Sequence, residues 1–223
     1  MSNINSLTFG ENTIPRVKHV KYIGLILDEQ LSWAAHIDEI CKSLTKYFSV
    51  FYNLRRFISL KLARIIYYSC IYPRIKYGIE VYGATNTTKL KKIQTLQNKL
   101  MKILTNKNYL HGTNELHSEL NILKVTDIYK LATLNFVYTS IQGDTIPKFR
   151  NYFTLREDTH EHGTRQRDHI TTRKFNTENG RSTTQNMGAM LWNSLGVNER
   201  GSKSKNIFKK AIAKQLKAKY LNP

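Results

Sequence analysis

The chain has 223 residues, a formal net charge of +19 at pH 7 and a sequence pI near 9.9. This length is enough to bury a hydrophobic core in one or two domains. There is no apolar run of the roughly 20 residues that a membrane helix needs, and the polar N-terminus lacks the pattern of a signal peptide, so we expect neither a membrane partner nor secretion.

The two cysteines, Cys41 and Cys70, do not form a C-x-x-C pair. Both fall on apolar faces of predicted helices, so we expect buried, unreactive thiols in a reducing compartment. The protein is therefore expected to be intracellular, in the nucleus, the cytoplasm or both.

The positive charge is concentrated in two segments. Residues 32–110 carry 14 basic and 3 acidic side chains (+11), and residues 156–223 carry 14 and 6 (+8). Residues 1–31 and 111–155 are neutral, with 3 and 4 side chains of each sign. Separate basic blocks are typical of surfaces that face a polyanion. The alternative is that lysine-rich helices merely have solvated outer faces.

Residues 1–31 are predicted to form a short β-hairpin or meander. The segment "LTF" precedes a turn at "GEN", and a second β-branched and aromatic run extends from His19 to Leu27. Because so small a sheet cannot bury itself, we expect it to pack against another part of the protein.

Residues 32–155 predict a helical bundle. Ser32 is a candidate N-cap for a helix that runs to about Phe57, with apolar residues at every third or fourth position. Ser59 caps a second helix that we expect to end near Pro73, because the residue before a proline disfavours the α conformation. The segment that follows is open between a short helix and an extended chain. The apolar stripe of the first helix comprises Trp33, Ile37, Ile40, Leu44, Phe48, Phe51 and Leu54.

Two longer helices and one short one complete the predicted bundle. The first opens at Thr87 or Thr88 and has apolar residues facing inward and lysines around its rim. The second opens at Thr126 and stops at Gly143, and a short helix starts near Pro147. Inward positions of the first are Leu90, Ile93, Leu96 or Gln97, Leu100 and Leu104.

The composition changes after this bundle. Residues 156–168 are polar and free of large apolar side chains, which predicts a linker. Residues 169–223 form a basic C-terminal region with a short candidate strand, a helix around "QNMGAMLWNSL" and a terminal helix with an apolar stripe. The predicted fold class is therefore mainly α, with a short N-terminal β-hairpin or meander, a helical bundle and a small C-terminal helical region. The terminal stripe comprises Phe208, Ile212, Leu216 and Tyr220.

No catalytic residue and no metal site is predicted. Magnesium chemistry needs two or more converging carboxylates, whereas the acidic pairs at residues 28–29 and 38–39 are better explained by the preference of acids for helix N-termini. His160 and His162 have no further ligand at zinc spacing. The motifs of phosphate-binding loops, nucleophile elbows and zinc proteases do not occur.

Basic residues alternate with aromatic ones in "YFSVFYNLRRFISLKLARIIYY". This pattern suits a nucleic-acid backbone, because the cations can contact phosphates while tyrosines stack or fill the core. Lysines on the rim of the helix that follows add to the same surface. The candidate nucleic-acid-binding residues are Arg55, Arg56, Lys61, Arg64, Lys89, Lys91, Lys92 and Lys99.

Four motifs occur in a defined order along the chain. They are "VKYIGLILDEQLSWAAHI", "YYSCIYPRIKYGIEVYG", "LKKIQTLQNKLMKIL" and "LWNSL" followed by a basic helix. Together they resemble the C-terminal part of reverse transcriptases from non-LTR retrotransposons of the jockey type, over nearly the whole chain.

The resemblance implies roles for several residues. Tyr22, Ile23 and Gly24 match an aromatic-Leu-Gly hairpin that closes the polymerase palm and grips the primer, although Ile23 replaces the usual Leu. Residues 32–155 match the thumb and its continuation, which lie along a duplex of RNA template and DNA primer. The residues that match the tail motif are Trp192 and Asn193.

The catalytic Asp residues of that family, which hold Mg²⁺ in the complete polymerase, precede the primer-grip motif, and only 21 residues precede Tyr22 here. The leading hypothesis is thus a truncated polymerase fragment that binds template-primer nucleic acid, has no cofactor of its own and does not polymerise. The alternative is a free-standing basic helical module that binds nucleic acid or another protein.

Overall fold

Two antiparallel hairpins precede the helices in the computed structural model, which describes residues 6–158 and 167–221. The first pairs β1 (Ser6–Phe9) with β2 (Asn12–Pro15), and the second pairs β3 (His19–Tyr22) with β4 (Leu25–Asp28). The helical bundle that follows them confirms the predicted mainly α fold class. None of the helices in the described residues is both long and apolar enough to cross a bilayer.

Only the second hairpin is anchored to the bundle. Both strands of the first hairpin are exposed throughout, whereas β4 is half-buried. The backbone N–H of Ile26 in β4 donates to Nδ1 of His36, at 3.4 Å, in the first helix, α1 (Ala34–Thr45). The ring of His36 is buried and lies edge-to-face with the ring of Tyr82, with 5.1 Å between the two ring centres. β4 thus packs on α1, and the buried ring of His36 is one of its contacts with the core.

The helix predicted from Ser32 to about Phe57 is divided into two. A turn at Lys46 separates α1 from α2 (Tyr47–Leu54), so the prediction of one continuous helix was wrong. The hydroxyl groups of Ser43 and Thr45 donate to the carbonyls of Ile40 and Lys42, at 2.7 and 2.8 Å. Hydroxyl groups that bond to helix carbonyls in this way favour a bend.

The next helix continues past Pro73, where we expected it to end. After α3 (Leu60–Ile66), a π-helical segment at Tyr67–Ile71 leads into α4 (Tyr72–Lys76). The N–H of Tyr72 bonds to the carbonyl of Tyr67, five residues earlier. Because the π turn starts a new register, Pro73 lies in the first turn of α4, where a missing N–H costs little. The ambiguous segment after it contains α5 (Ile79–Tyr82).

The longest helices form the centre of the bundle. α6 (Thr87–Leu104) starts at Thr87, one of the two predicted positions, and Asn86 caps it by accepting from the N–H of Thr88 at 2.9 Å. α7 (Thr113–Glu119) was not predicted. α8 (Val125–Ile141) contacts α4, α5 and α6, and buries residues on every side. Gly143 follows its end with a φ of 73°, as predicted.

The last part of the chain, from residue 147 onward, packs on α8. It contains α9 (Pro147–Arg150), a 3-10 turn (Arg156–Asp158), α10 (Glu178–Arg181), α11 (Thr184–Asn193), α12 (Val197–Arg200) and α13 (Lys205–Ala218). The predicted strand near residue 170 is reduced to a single bridge between Leu155 and Ile170. Part of the predicted linker, with His160 and His162, lies outside the described residues.

A single hydrophobic core extends from α1 to α13. Tyr138 of α8 stacks on Phe208 of α13 at 4.7 Å, and Trp192 of α11 lies 5.9 Å from the same ring. The terminal stripe is buried as predicted, including Tyr220. The predicted domain boundaries at residues 31, 155 and 168 stay predictions.

A buried group of polar side chains links the ends of four helices. Gln97 of α6 has no exposed surface and donates to the Tyr67 hydroxyl at 2.8 Å and to the Leu123 carbonyl at 2.9 Å. Gln94 accepts from the N–H of Val125 at 2.7 Å. This N–H lies at the start of α8 and has no partner within the helix. Helical spacing allows either Leu96 or Gln97 at this inward position, and Gln97 is the buried one because its amide has partners there.

The same group includes the far end of α13. The hydroxyl of Tyr220 accepts from the N–H of Lys124 at 3.0 Å and donates to the carboxylate of Asp127. The ring of Tyr220 lies edge-to-face at 5.9 Å from His117 of α7. His117 is fully buried, and its Nε2 lies 2.9 Å from Oδ1 of Asn98. Burial, with a smaller contribution from the charge of Lys124, lowers the pKa of His117 to about 4.

We expect the free energy of unfolding to fall as the pH is lowered from about 6.5 to about 4. Over this range the unfolded chain binds a proton at His117 that the folded protein does not accept, and below it His117 has no further effect. The loss is about 3 kcal/mol at most. Urea unfolding of the wild type and of His117→Gln, which keeps a donor but does not titrate, measures this contribution.

The matched control is His19→Gln, because His19 is exposed on β3. The stability difference between the wild type and His117→Gln is expected to shrink toward pH 4, whereas the control keeps the pH dependence of the wild type. A difference that does not change with pH would contradict the assignment.

Candidate nucleic-acid interface

The predicted basic residues around α2 and α3 face solvent. α3 buries Ala63 and packs Ile66 against the core, so the intervening positions Lys61 and Arg64 are exposed. Two of the arginines lie over tyrosine rings. The guanidinium carbon of Arg55 is 3.8 Å from the ring centre of Tyr52, and that of Arg64 is 5.9 Å from Tyr68. Such contacts hold a cation at the surface without neutralising it.

The lysines of α6 divide into two kinds. Lys91 and Lys99 are exposed. Lys89 donates to the carbonyl of Ser32 at 2.6 Å, and Lys92 forms an ion pair with Asp38 at 3.1 Å. Lys89 thus connects α6 to the residue two before α1, and Lys92 connects it to Asp38 within α1, so both lysines have an internal role. Within the described residues, six of the predicted cations form neither an ion pair nor a hydrogen bond to a backbone carbonyl: Arg55, Arg56, Lys61, Arg64, Lys91 and Lys99.

A seventh cation joins this surface from the other basic segment of the chain. Lys217, near the end of α13, is half-buried and lies close enough to Arg64 to interact with it. Burial, followed by the charge of Arg64, lowers the pKa of Lys217. Sequence reasoning missed this residue. The one sequence feature that points to Lys217 is its position directly after Leu216, a residue of the buried stripe in a lysine-rich helix.

Apolar side chains lie between these cations. Phe57, at 83% exposure, and Leu62 and Ile65, at 42% and 53%, are among the exposed residues around α3. Leu54, which we placed in the core stripe, is 42% exposed because α2 ends there. The surface is therefore mixed basic and apolar.

Ile23 and Gly24 form the turn of the second hairpin, and Tyr22 is the residue before the turn. Ile23 and Gly24 have φ angles of 45° and 76°, the pair of positive values that a type I′ turn requires. The Tyr77 hydroxyl donates to the Ile23 carbonyl at 2.6 Å and attaches the turn to the helices. The side chains of Tyr22 and Ile23 are 63% and 69% exposed. Their role in gripping a primer stays a prediction.

The acidic residues near this hairpin have structural partners. The carboxylate of Asp28 accepts from the backbone N–H groups of Gln30, Ser32 and Trp33 at 3.2, 2.9 and 2.8 Å. Partial burial alone would raise the pKa of Asp28, but these bonds outweigh it and the pKa lies below its usual value. Asp28 thus organises the turn into α1.

The acids do not fit a magnesium site of the kind the resemblance implies for a complete polymerase. Asp28 is saturated by backbone donors, and Asp38 is paired with Lys92. Within residues 6–158 and 167–221, no three His, Cys, Asp or Glu side chains lie close enough to hold a metal ion. Both cysteines are free and half-buried, and burial raises the pKa of Cys41.

The two tail-motif residues make internal contacts. Trp192 is buried, and its indole N–H donates to the carbonyl of Asp168 at 3.0 Å. The amide of Asn193 accepts from the N–H of Ile170 at 2.8 Å and donates to its carbonyl at 2.9 Å. Asn193 thus binds the backbone of Ile170 as a neighbouring strand would. These contacts give the motif an internal packing role.

Curated relatives cover about half of this chain. Over 120 residues it is 29% identical to the probable RNA-directed DNA polymerase from transposon X-element of Drosophila melanogaster, a segment that is 52% of this chain and 13% of the relative. The RNA-directed DNA polymerases from mobile element jockey of Drosophila funebris and of Drosophila melanogaster are 28% and 30% identical, over 54% and 48% of this chain and 14% and 12% of theirs.

These relatives confirm the resemblance to polymerases of jockey-like non-LTR elements. The matched segment is a small part of each relative, 12–14% of its length. No protein-family model matches the chain, and no solved structure matches it.

Replacing Ile23 with Asn is expected to stabilise the protein by up to about 1 kcal/mol. A β-branched residue is strained at positive φ, whereas Asn-Gly is a preferred sequence for a type I′ turn. Thermal unfolding measures the change. Val20→Asn, on β3 of the same hairpin at 50% exposure, is the control and is expected to lower stability. Equal destabilisation by both variants would show that Ile23 is not strained.

Replacing Asn193 with Ala is expected to destabilise the protein by about 1–3 kcal/mol, because both backbone groups of Ile170 lose their partner. Hydrogen exchange followed by mass spectrometry should show faster exchange at the Ile170 amide. Asn198→Ala, at an exposed position of α12, is the control and should leave both quantities unchanged. Unaltered exchange at Ile170 in the Asn193 variant would refute the contact.

Proposed function

We propose that this chain is the nucleic-acid-holding part of an RNA-directed DNA polymerase of a non-LTR retrotransposon, and that it binds a duplex of RNA template and DNA primer. The similarity to curated polymerases of this kind supports the class of activity. The observation that carries the proposal is the group of six cations on α2, α3 and α6 without ion pairs among the described residues, joined by Lys217 of α13.

The electrostatic interaction between Arg64 and half-buried Lys217 supports an anionic ligand. Two positive charges that interact repel each other, more strongly where one is half-buried. Asp38 and Glu80 belong to the same basic segment of the sequence as Arg64. They form ion pairs with Lys92 and Lys76, so they do not neutralise Arg64 or Lys217. A phosphate between the two cations would convert this repulsion into attraction and release counterions.

The exposed apolar residues fit the same ligand. A nucleic-acid duplex presents sugar C–H groups between its phosphates, and side chains such as Leu62 and Ile65 can contact them while Lys61 and Arg64 bind the phosphates. Contacts of this kind position a duplex without reading its sequence. This suits a polymerase, which must hold every template that it copies.

The proposal assigns binding, and no phosphoryl transfer, to the described residues. Mg²⁺ in the complete polymerase would be held by carboxylates, and the acids nearest to the proposed surface, Asp28 and Asp38, are engaged by backbone N–H groups and by Lys92. The proposed role of Tyr22, Ile23 and Gly24 is to contact the primer strand, since the turn is exposed and fixed by Tyr77.

A second candidate is a protein-interaction module. The exposure of Phe57 and of two aliphatic residues of α3 favours it, because clustered exposed apolar side chains mark interaction sites. The two candidates differ in how binding responds to salt, since only phosphate contacts release condensed counterions.

The six unpaired cations predict a steep salt dependence. Affinity of the full chain for a labelled RNA/DNA duplex, measured by fluorescence anisotropy over a range of KCl concentrations, should give a log-log slope near −5. Arg64→Ala should reduce the magnitude of the slope by about 1. The matched control is Lys148→Ala, because Lys148 is exposed on α9 in the neutral segment, and it should leave the slope unchanged. A flat dependence would refute the proposal and favour the protein-interaction module.

A further inference from the structure

A cavity of about 160 Å³ lies in the C-terminal region, where the chain after α9 meets α11. Its walls include Tyr152, Phe153 and Phe175, together with Gln185 and Asn186 of α11. None of the cations of the duplex surface lines it. It is therefore a separate candidate site.

The cavity has the size and lining for one six-membered aromatic ring. An apolar protein cavity of about 150 Å³ holds a molecule of benzene. Tyr152 and Phe153 lie edge-to-face at 5.2 Å, which fixes the two rings relative to each other, and Phe153 is 6% exposed. Aromatic walls of this kind are the usual platform on which unstacked bases of single-stranded nucleic acid bind.

Two amide side chains supply acceptors at the same cavity. Gln185 donates through Nε2 to the carbonyl of Tyr152, and Asn186 donates through Nδ2 to the carbonyl of Arg181, both at 2.7 Å. These bonds leave Oε1 of Gln185 and Oδ1 of Asn186 without a donor among the described residues. Either amide oxygen can accept from the one donor group on the pairing edge of a pyrimidine base, which is N3–H in uracil and the N4 amine in cytosine.

An exposed cation lines the cavity. It is Arg173, and the next residue in the sequence, Lys174, is also exposed. Neither forms an ion pair with a carboxylate in the part of the chain that the structure describes. A strand that placed one base in the cavity would bring its flanking phosphates toward these cations.

We infer that this cavity binds one unstacked pyrimidine base of a single-stranded nucleic acid, whose neighbouring phosphates contact Arg173 and Lys174. The inference rests on the proposed function for the class of ligand alone. The proposed duplex surface and this cavity share no residue, so each can fail without the other.

The test compares a 12-nucleotide oligouridylate with an abasic 12-mer of the same charge, using the full chain. The wild type should bind the oligouridylate about tenfold more tightly, because one stacked base contributes about 1–3 kcal/mol. Thr172→Trp places a bulky side chain at an exposed position of the cavity lining. This variant should bind the oligouridylate and the abasic strand with about equal affinity. Thr8→Trp, on the exposed first hairpin, is the matched control and should keep the preference for the oligouridylate.

A second measurement uses the wild type alone, so it does not depend on how a variant folds. Ultraviolet cross-linking of an oligonucleotide with 5-bromouracil bases, followed by mass spectrometry, should place the cross-link on peptides containing Tyr152 or Phe175. Equal affinity for the oligouridylate and the abasic strand, or cross-links confined to α3 and α6, would overturn the inference. Loss of duplex binding with a retained base preference would overturn the proposed function and support the cavity.

Discussion

The buried start of α8 is the constraint on which the arrangement of the other helices depends. The first N–H groups of a helix have no partner within it, and at this end of α8 water cannot replace one. Gln94 of α6 accepts from Val125 at 2.7 Å, and Tyr220, beyond α13, accepts from Lys124 at 3.0 Å. The first bond attaches lysine-rich α6 to the start of α8, and the second attaches the end of lysine-rich α13 to it. The convergence of two basic segments from distant parts of the sequence therefore follows from hydrogen bonds in the core.

Much of the fold could be predicted from apolar periodicity, and the errors have a common cause. Ile37, Ile40, Leu44 and Phe51 of the first stripe and the whole terminal stripe are buried as predicted, and Phe48 is half-buried against the core, because side-chain spacing determines which face is apolar. Spacing does not reveal a bend stabilised by the hydroxyl groups of Ser43 and Thr45, nor a π turn that accommodates Pro73. Nor does it show which polar residues the core accepts. That depends on partners that are distant in sequence.

The same reasoning explains what could be predicted of the candidate site. Exposure of the basic residues on α3 follows from the helical pattern. Which lysines are available to a ligand does not, since Asp38 pairs with Lys92 across 54 residues of sequence. The tail motif is a different case, because only the resemblance implies a role for Trp192 and Asn193. In the structure both bind backbone groups near residue 170. Similarity to known polymerases indicates a class of activity, whereas the contacts show which residues are available to a ligand and which hold the fold together.

The bond between Tyr220 and Lys124 also bears on how fast the protein folds. It joins residues 96 apart in the sequence, and the Thr184 hydroxyl bonds to the Glu80 carbonyl across 104 residues. Helical bundles usually fold quickly because most of their contacts are local, whereas ordering a long loop before its contacts form slows the search. In this protein the start of α8 cannot be completed until the last helix has docked. Its refolding should therefore be slower than that of a helical bundle of the same size with only neighbouring contacts.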